Sequence, residues 1–100
     1  MKIRVNFLAV LRSLARSSSV EIEVPQGSKV EDVIRLACKN NEALFKRVFE
    51  PSGEVRGDII VLVDGVDVNL LGGLSAAVND IREITLIPSV HGGVYELRTC

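Results

Sequence analysis

The sequence predicts an α+β fold, in which one mixed β-sheet carries helices on one face. Three observations support this prediction: two segments alternate apolar and polar residues near the N-terminus, an amphipathic helical pattern follows them, and two later apolar strands surround a hairpin signal. A chain of 100 residues is long enough for one domain with a two-layer core. We expect about five strands, one main helix and a short second helix on one face of the sheet.

The first two strands are predicted from strict alternation. Residues 2–8 alternate apolar and polar side chains, and residues 20–24 repeat the pattern. A period of two is that of a strand with one buried face. The serines at 17–19 belong to a connection short enough for the two strands to pair as an antiparallel hairpin.

The main helix is predicted to begin at Ser28, because Ser28 and Glu31 have the spacing of a capping box. Apolar residues then recur at helical spacing as far as Cys38, with charged residues between them, so one stripe packs on the sheet. A second short helix is expected around the apolar residues of 44–49, before the chain is broken at 51–53.

The C-terminal half predicts three more strands. Residues 59–63 form a continuous aliphatic run, which is typical of a central strand. Asp64-Gly65 follows at once and is a strong hairpin signal, because both central residues of the favoured turn need a positive φ. The return strand is expected at 66–69 and the last strand at 82–87.

Two aliphatic side chains do not fit this alternation. Leu8 and Ile87 point away from the helices if the other apolar residues of their strands face inward. Val66 or Val68 in the return strand would join them. These residues are either scattered on the surface or form a partner-binding surface, and the residue pattern alone favours neither.

Composition argues against several classes of protein. A formal net charge of −1, with 12 basic residues spread along the chain, gives no footprint for nucleic acid. The longest aliphatic run is far shorter than the roughly 20 residues that span a bilayer, and the N-terminus does not resemble a signal peptide, so we expect a cytoplasmic protein without a membrane partner. His91 is the one histidine, and Cys38 has helical apolar phase, so neither a metal site nor a catalytic trio is predicted.

The most informative motif lies after the last strand. His91-Gly92-Gly93 follows Pro88, and a further seven residues, 94–100, follow the glycines. Glycine reaches conformations closed to other residues and lets the backbone pass through a narrow channel. The pair therefore suggests a tail that enters the active site of another protein, with the main chain as the reacting group.

Four segments, taken in order, resemble the MoaD and ThiS family of ubiquitin-like sulfur carriers: MKIRVNFLAVLRSLA, EIEVPQGSKVEDVI, VLVDGVDV and ITLIPSVHGG. The likeness is strongest to MoaD, the small subunit of molybdopterin synthase. It implies a single-domain ubiquitin-like β-grasp fold with a Gly-Gly tail across residues 1–93, and a C-terminal extension, 94–100, that is either flexible or removed.

The resemblance also implies a reaction at the glycine pair. A partner enzyme of the ubiquitin-activating type, MoeB- or ThiF-like, would use ATP to adenylate the carboxylate of Gly93, which would then accept sulfur as a thiocarboxylate. Gly92, which has no side chain, would let the tail pass through a narrow channel. The chain would bind no cofactor itself and would serve as a protein cosubstrate, the small subunit of a molybdopterin synthase-like complex with a MoaE-like large subunit. Molybdopterin, thiamine or thiolated-tRNA synthesis would receive the sulfur.

By the same resemblance, Leu8 and Ile87 are expected to bind these partners. Val68 and His91 are two further candidate partner-binding residues. The extension departs from the family pattern, since the Gly93 carbonyl is held in an amide to Val94 and offers no carboxylate.

Three interpretations of the extension stand. A protease, for example a zinc-dependent deubiquitinase-like one, removes it; or the chain is a non-catalytic β-grasp interaction module; or the extension folds over the outward surface through Tyr95 and Leu97, which share one phase. A different function class is a protein modifier, joined through Gly93 to lysines of target proteins.

Overall fold

Residues 1–89 are the part of the chain that the computed structural model describes, and within them five strands form one mixed sheet in the order β2-β1-β5-β3-β4. The strands are β1 (Lys2–Phe7), β2 (Ser19–Glu23), β3 (Ile59–Val63), β4 (Val66–Asp67) and β5 (Glu83–Pro88). The helices are α1 (Val10–Ala15), α2 (Val30–Cys38), α3 (Glu42–Val48) and a 3-10 helix (Val68–Leu70). The predicted α+β architecture is confirmed.

The last strand in the sequence lies in the middle of the sheet. β5 runs parallel to β1, with Val5 opposite Ile84, and antiparallel to β3, with Val61 opposite Leu86. The predicted antiparallel hairpin of the first two strands is present, with Ile3 opposite Ile22. β5 is paired on both sides as far as Leu86, and Ile87 and Pro88 pair with β3 alone. The chain beyond β5 therefore leaves from the centre of the sheet.

The core lies between the inner face of the sheet and the helices. Alternate residues of β1, β3 and β5 are buried there, and the helices contribute a facing set that includes Leu11, Val33, Ile34 and Leu44. Cys38 belongs to this core with no exposed surface, in agreement with its predicted apolar role. α2 is the longest helix described, at nine residues, and no described helix is long and apolar enough to cross a membrane.

The predicted hairpin after β3 is present. Asp64 and Gly65 have φ angles of 48° and 84°, as the tight turn requires. The Asp64 carboxylate also accepts hydrogen bonds from the main-chain N–H groups of Arg82 and Glu83, each at 3.0 Å, so the turn is tied to the start of β5.

One helix was not predicted. α1 occupies part of the connection between β1 and β2, and its Leu11 is fully buried. At six residues it is too short to produce a clear helical period. It begins after Ala9, whose φ of 52° and ψ of −130° are strained for a residue with a side chain, and it ends at Arg16 in the left-handed region.

The predicted capping box is wrong. α2 begins one residue later than expected, with Lys29 at the N-cap and no side-chain cap. The Ser28 hydroxyl instead donates to the carbonyl of Pro25 at 2.8 Å, because the turn at 25–28 brings that acceptor closer than the helix N–H groups.

Candidate functional site: the outer sheet face and the root of the tail

The sheet has a second face that no described helix covers, and its residues near the end of β5 are aliphatic. Four side chains form this outer apolar surface: Leu8, Ile60, Leu62 and Ile87. Ile60 is 39% exposed, and the other three are partly exposed. A cluster of this kind on one open face differs from single exposed aliphatics, and such clusters mark partner-binding surfaces.

Leu8 extends β1 by one residue. Its N–H donates to the carbonyl of Leu86 at 3.2 Å, and its own carbonyl accepts the N–H of Leu11 at 3.1 Å, so its main chain is held on both sides. It shares the phase of Arg4 and Asn6, which lie on the outer face. The structure thus places Leu8 where the sequence predicted it, beside the neighbouring strand β5.

Ile87 lies directly opposite Ile60 across the β5–β3 pair. Opposed residues of neighbouring strands share a face of the sheet, and so Ile60 belongs to the same surface. Leu62 follows on this face, opposite Thr85. Sequence analysis missed Ile60 and Leu62, because a continuous aliphatic run has no alternation that would show which residues face outward.

Val68 does not belong to this surface, and its predicted exposure is wrong. It is only 3% exposed and lies in the core. The return strand β4 ends after two residues, and the chain turns into the 3-10 helix, where the carboxylate of Asp67 accepts the N–H of Asn69 at 2.9 Å. Val68 follows Val66 by two residues, and both lie on the inner side of the sheet. Val66, the other candidate, is 40% exposed, but it lies opposite Val63 and so on the inner side of the sheet edge.

The far half of the outer face is polar. The Glu83 carboxylate accepts hydrogen bonds from Asn6 at 3.0 Å and from Arg4 at 3.1 Å, and Asn6 also donates to the hydroxyl of Thr85 at 3.1 Å. The hydrogen bond from Asn6, and then that from Arg4, lower the pKa of Glu83 below its ordinary value. Here each polar group has a partner within the protein, which is ordinary behaviour for a solvated sheet face.

The root of the tail lies at the apolar end of β5. Pro88 closes the strand opposite Ile59, and the N–H of Ser89 donates to the carbonyl of Asp58 at 2.7 Å. The predicted site residues His91, Gly92 and Gly93, together with the extension 94–100, lie outside the described residues. The structure therefore locates the point from which the tail leaves, and this point adjoins Ile87 and Ile60.

Potential metal ligands are scattered within residues 1–89. No group of three potential metal ligands converges anywhere among them. Burial raises the pKa of the Cys38 thiol to about 12, so the group stays protonated and unreactive near neutral pH.

Comparison with known proteins leads to the same family as the resemblance of the four sequence segments. A family model described as the ThiS family matches residues 5–93. Small archaeal modifier protein 3 of Haloferax volcanii is 30% identical over 93 residues, which is 93% of this chain and 100% of that protein. The crystal structure of SAMP1 from the same organism superposes with a TM-score of 0.80 at 29% identity and covers 93% of this chain and 100% of that one.

A third match concerns a protein complex. A chain of the BexX/CysO complex of Amycolatopsis orientalis superposes with a TM-score of 0.72 at 28% identity, covering 91% of this chain and 99% of that one. These structures confirm the predicted ubiquitin-like β-grasp fold. The last of these chains was solved in a complex.

Proposed function

We propose, since the chain belongs to the ThiS family of ubiquitin-like sulfur carriers and modifiers, that its function is to present the carboxylate of Gly93 for activation by a partner enzyme. The family resemblance predicted from four sequence segments is confirmed by the match over residues 5–93. The observation that carries the proposal is that the outer apolar surface and the root of the tail share one end of β5. A partner that docks on this surface finds the tail beside it.

The proposed chemistry begins with removal of residues 94–100. Water, with the help of a protease, cleaves the amide between Gly93 and Val94 and leaves a carboxylate on Gly93. An oxygen of this carboxylate attacks the α-phosphorus of ATP in the activating enzyme, pyrophosphate departs, and an acyl-adenylate forms. Hydrosulfide, released by a sulfur donor, then attacks the acyl carbon and displaces AMP, which gives the thiocarboxylate. These reactants are cytoplasmic metabolites, and we infer that the protein acts in the cytoplasm.

The outer apolar surface would serve two partners in turn. We expect a MoeB- or ThiF-like activating enzyme to dock there first, and a sulfur-accepting complex, in the molybdopterin case a MoaE-like large subunit, to dock there afterwards. Two partners that use one surface exclude each other, so the carrier must dissociate between the two steps. The modest size of the surface, four side chains, suits such a transient contact.

Two fates of the activated Gly93 are open to test. The resemblance to MoaD favours sulfur donation to molybdopterin, which is our first candidate. The names of the two Haloferax volcanii relatives favour the second, transfer of Gly93 to lysines of other proteins. Both fates need the same adenylation step, so the proposal stands on that step. A non-catalytic interaction module is the contrary hypothesis.

The adenylation step can be measured directly. We would incubate the chain ending at Gly93, and separately the full chain of 100 residues, with the activating enzyme of the same organism and ATP. Pyrophosphate release from the shorter chain alone is the expected result, since only that chain has a carboxylate at Gly93. Release from neither chain would contradict the proposal and favour the interaction module.

The fate of Gly93 is decided by mass spectrometry of the protein from its native cells. A form ending at Gly93 with one oxygen replaced by sulfur identifies the carrier. A modifier would instead appear in conjugates, and trypsin, which cuts after Arg82, would leave residues 83–93 attached to target lysines. Recovery of the intact chain to Cys100 as the sole form would contradict both fates.

A further inference from the structure

A cluster of charged side chains lies at the root of the tail and has no part in the outer apolar surface. One carboxylate oxygen of Asp58 accepts hydrogen bonds from two guanidinium groups, that of Arg47 at 3.2 Å and that of Arg56 at 3.4 Å. Arg56 also pairs with Glu50 at 3.7 Å. The side chains of Arg47 and Asp58 are 28% and 32% exposed, so water competes for them less than at a fully exposed ion pair.

Three separate parts of the chain build this cluster. Arg47 lies in the last turn of α3, Arg56 in the segment that follows, and Asp58 immediately before β3. The main-chain N–H of Arg56 donates to the carbonyl of Val48 at 2.8 Å, which fixes the segment against the end of α3. The position of Asp58 is thus determined by contacts to a helix, not only by the strand that it precedes.

The main chain of Asp58 is the part that meets the tail. Its carbonyl accepts the N–H of Ser89 at 2.7 Å, one residue beyond β5. The ion pairs of the Asp58 side chain therefore hold in place the residue whose carbonyl accepts the N–H of Ser89, the last described residue.

We propose that Asp58, held by Arg47 and Arg56, is a positioning residue that sets the direction in which the tail leaves the domain. This inference rests on the proposed function. Gly93 is the fourth residue after Ser89, and a fully extended stretch of four residues spans at most about 14 Å, so the anchor at Ser89 confines Gly93 to that distance. Misplacement of a reacting group by about 1 Å is enough to slow a reaction severely.

Two variants test the contact between Ser89 and Asp58, one at each residue. Ser89→Pro removes the N–H donor, and it follows a proline that already has strand geometry, so the strand itself is spared. Asp58→Ala removes the carboxylate that the two arginines hold. Asp32→Ala is the matched control, because Asp32 forms a similar ion pair with Arg35 at 3.0 Å on α2, away from the tail.

Each variant, in the chain ending at Gly93, would be assayed for pyrophosphate release as a function of carrier concentration. We expect kcat to fall about tenfold in Ser89→Pro and Asp58→Ala while KM stays unchanged, because the docking surface is intact and only the reacting group is misplaced. Asp32→Ala should match the wild type. Amide hydrogen exchange at residue 89 gives a second readout, with protection in Asp58→Ala lowered about tenfold relative to Asp32→Ala.

Several results would overturn the inference. A wild-type kcat in both Ser89→Pro and Asp58→Ala would do so. An equal loss of kcat in Asp32→Ala would do so too, because the loss would then follow from removing any ion-paired carboxylate. A raised KM with unchanged kcat would identify a docking contact instead of a positioning one. If the wild-type chain itself released no pyrophosphate, the proposed function would fail along with the inference, so the two failures are distinguishable.

Discussion

The two halves of the outer sheet face are built on the same strands and yet differ in chemistry. In the half near Glu83, polar side chains of β1 and β5 satisfy one another through three hydrogen bonds. In the half near Ile87, the outward-facing side chains of β3, of β5 and of Leu8 after β1 are aliphatic and partly exposed to solvent. The sheet would form with either chemistry, so folding does not explain the apolar half. Its position beside the root of the tail supports the proposed role in docking a partner.

A comparison with the inner face separates folding from binding at neighbouring residues. Leu86 and Ile87 follow each other in β5, but Leu86 is fully buried and Ile87 lies on the outer apolar surface. We expect Leu86→Ala to lower the free energy of unfolding by about 2–5 kcal/mol, because it leaves a cavity in the core. Ile87→Ala should cost far less. Urea denaturation measures both, and equal losses would mean that the outer half also belongs to the core.

The next largest effect concerns partner binding. Ile87→Asp and Ile60→Asp should each weaken binding to the activating enzyme by about 30-fold, which corresponds to roughly 2 kcal/mol for a central contact residue. Leu8→Asp should act in the same direction. Each variant should keep the wild-type fold, because an outer-face carboxylate remains in water.

Leu36→Asp is the matched control for Ile60→Asp. The two residues are 40% and 39% exposed, but Leu36 lies on α2, on the opposite side of the sheet. Isothermal titration calorimetry of each variant against the activating enzyme would separate the two surfaces. Equal weakening by Leu36→Asp and Ile60→Asp, or no weakening by either, would remove the assignment of binding to the apolar half.

Much of this fold could be predicted from the sequence, because most strands and the two longer helices carry a clear period. Strand phase alone placed Leu8 and Ile87 on the outer face. Ile60 could not be predicted, since all five residues of β3 are aliphatic and only the pairing with Ile87 shows its direction. The prediction for Val68 failed because the sequence does not fix the register of β4. Val66 pairs with buried Val63, and Val68, two residues later, lies on the same inner side.

No sequence pattern predicted the charged cluster of Arg47, Arg56 and Asp58 at the root of the tail. Arg47 and Asp58 are eleven residues apart and come from a helix and a strand end, so no periodic pattern relates them. Contacts of this kind depend on how elements pack, which local patterns do not encode. The glycine pair is the reverse case, since residue type and position alone suggest a role for it, and it lies outside the described residues.

A smaller effect is expected at Ala9, which follows Leu8 at the edge of the apolar half. Its φ of 52° with ψ of −130° is unfavourable for alanine and accessible to glycine. Ala9→Gly should raise the free energy of unfolding by about 1 kcal/mol, the strain relieved being partly offset by the greater entropy of an unfolded glycine. Ala43→Gly, in the exposed part of α3, should lower it by about 1 kcal/mol. Urea denaturation that showed both variants destabilised equally would contradict the strain at Ala9.

The smallest effect lies in the polar half and depends on pH. Hydrogen bonds from Asn6 and Arg4 favour the charged form of Glu83 and lower its pKa in the folded protein. A carboxylate whose pKa is lowered by folding stabilises the protein above its unfolded pKa, about 4.3 for glutamate, and this contribution is lost as the pH falls through the lower, folded pKa. Asn6→Ala should therefore bring the pKa of Glu83 back toward its ordinary value, which NMR titration of the carboxyl carbon would measure. If Glu83 titrated at its ordinary pKa in the wild type, its hydrogen bonds would not persist in solution, and the contrast between the two halves of the face would be weaker than the structure indicates.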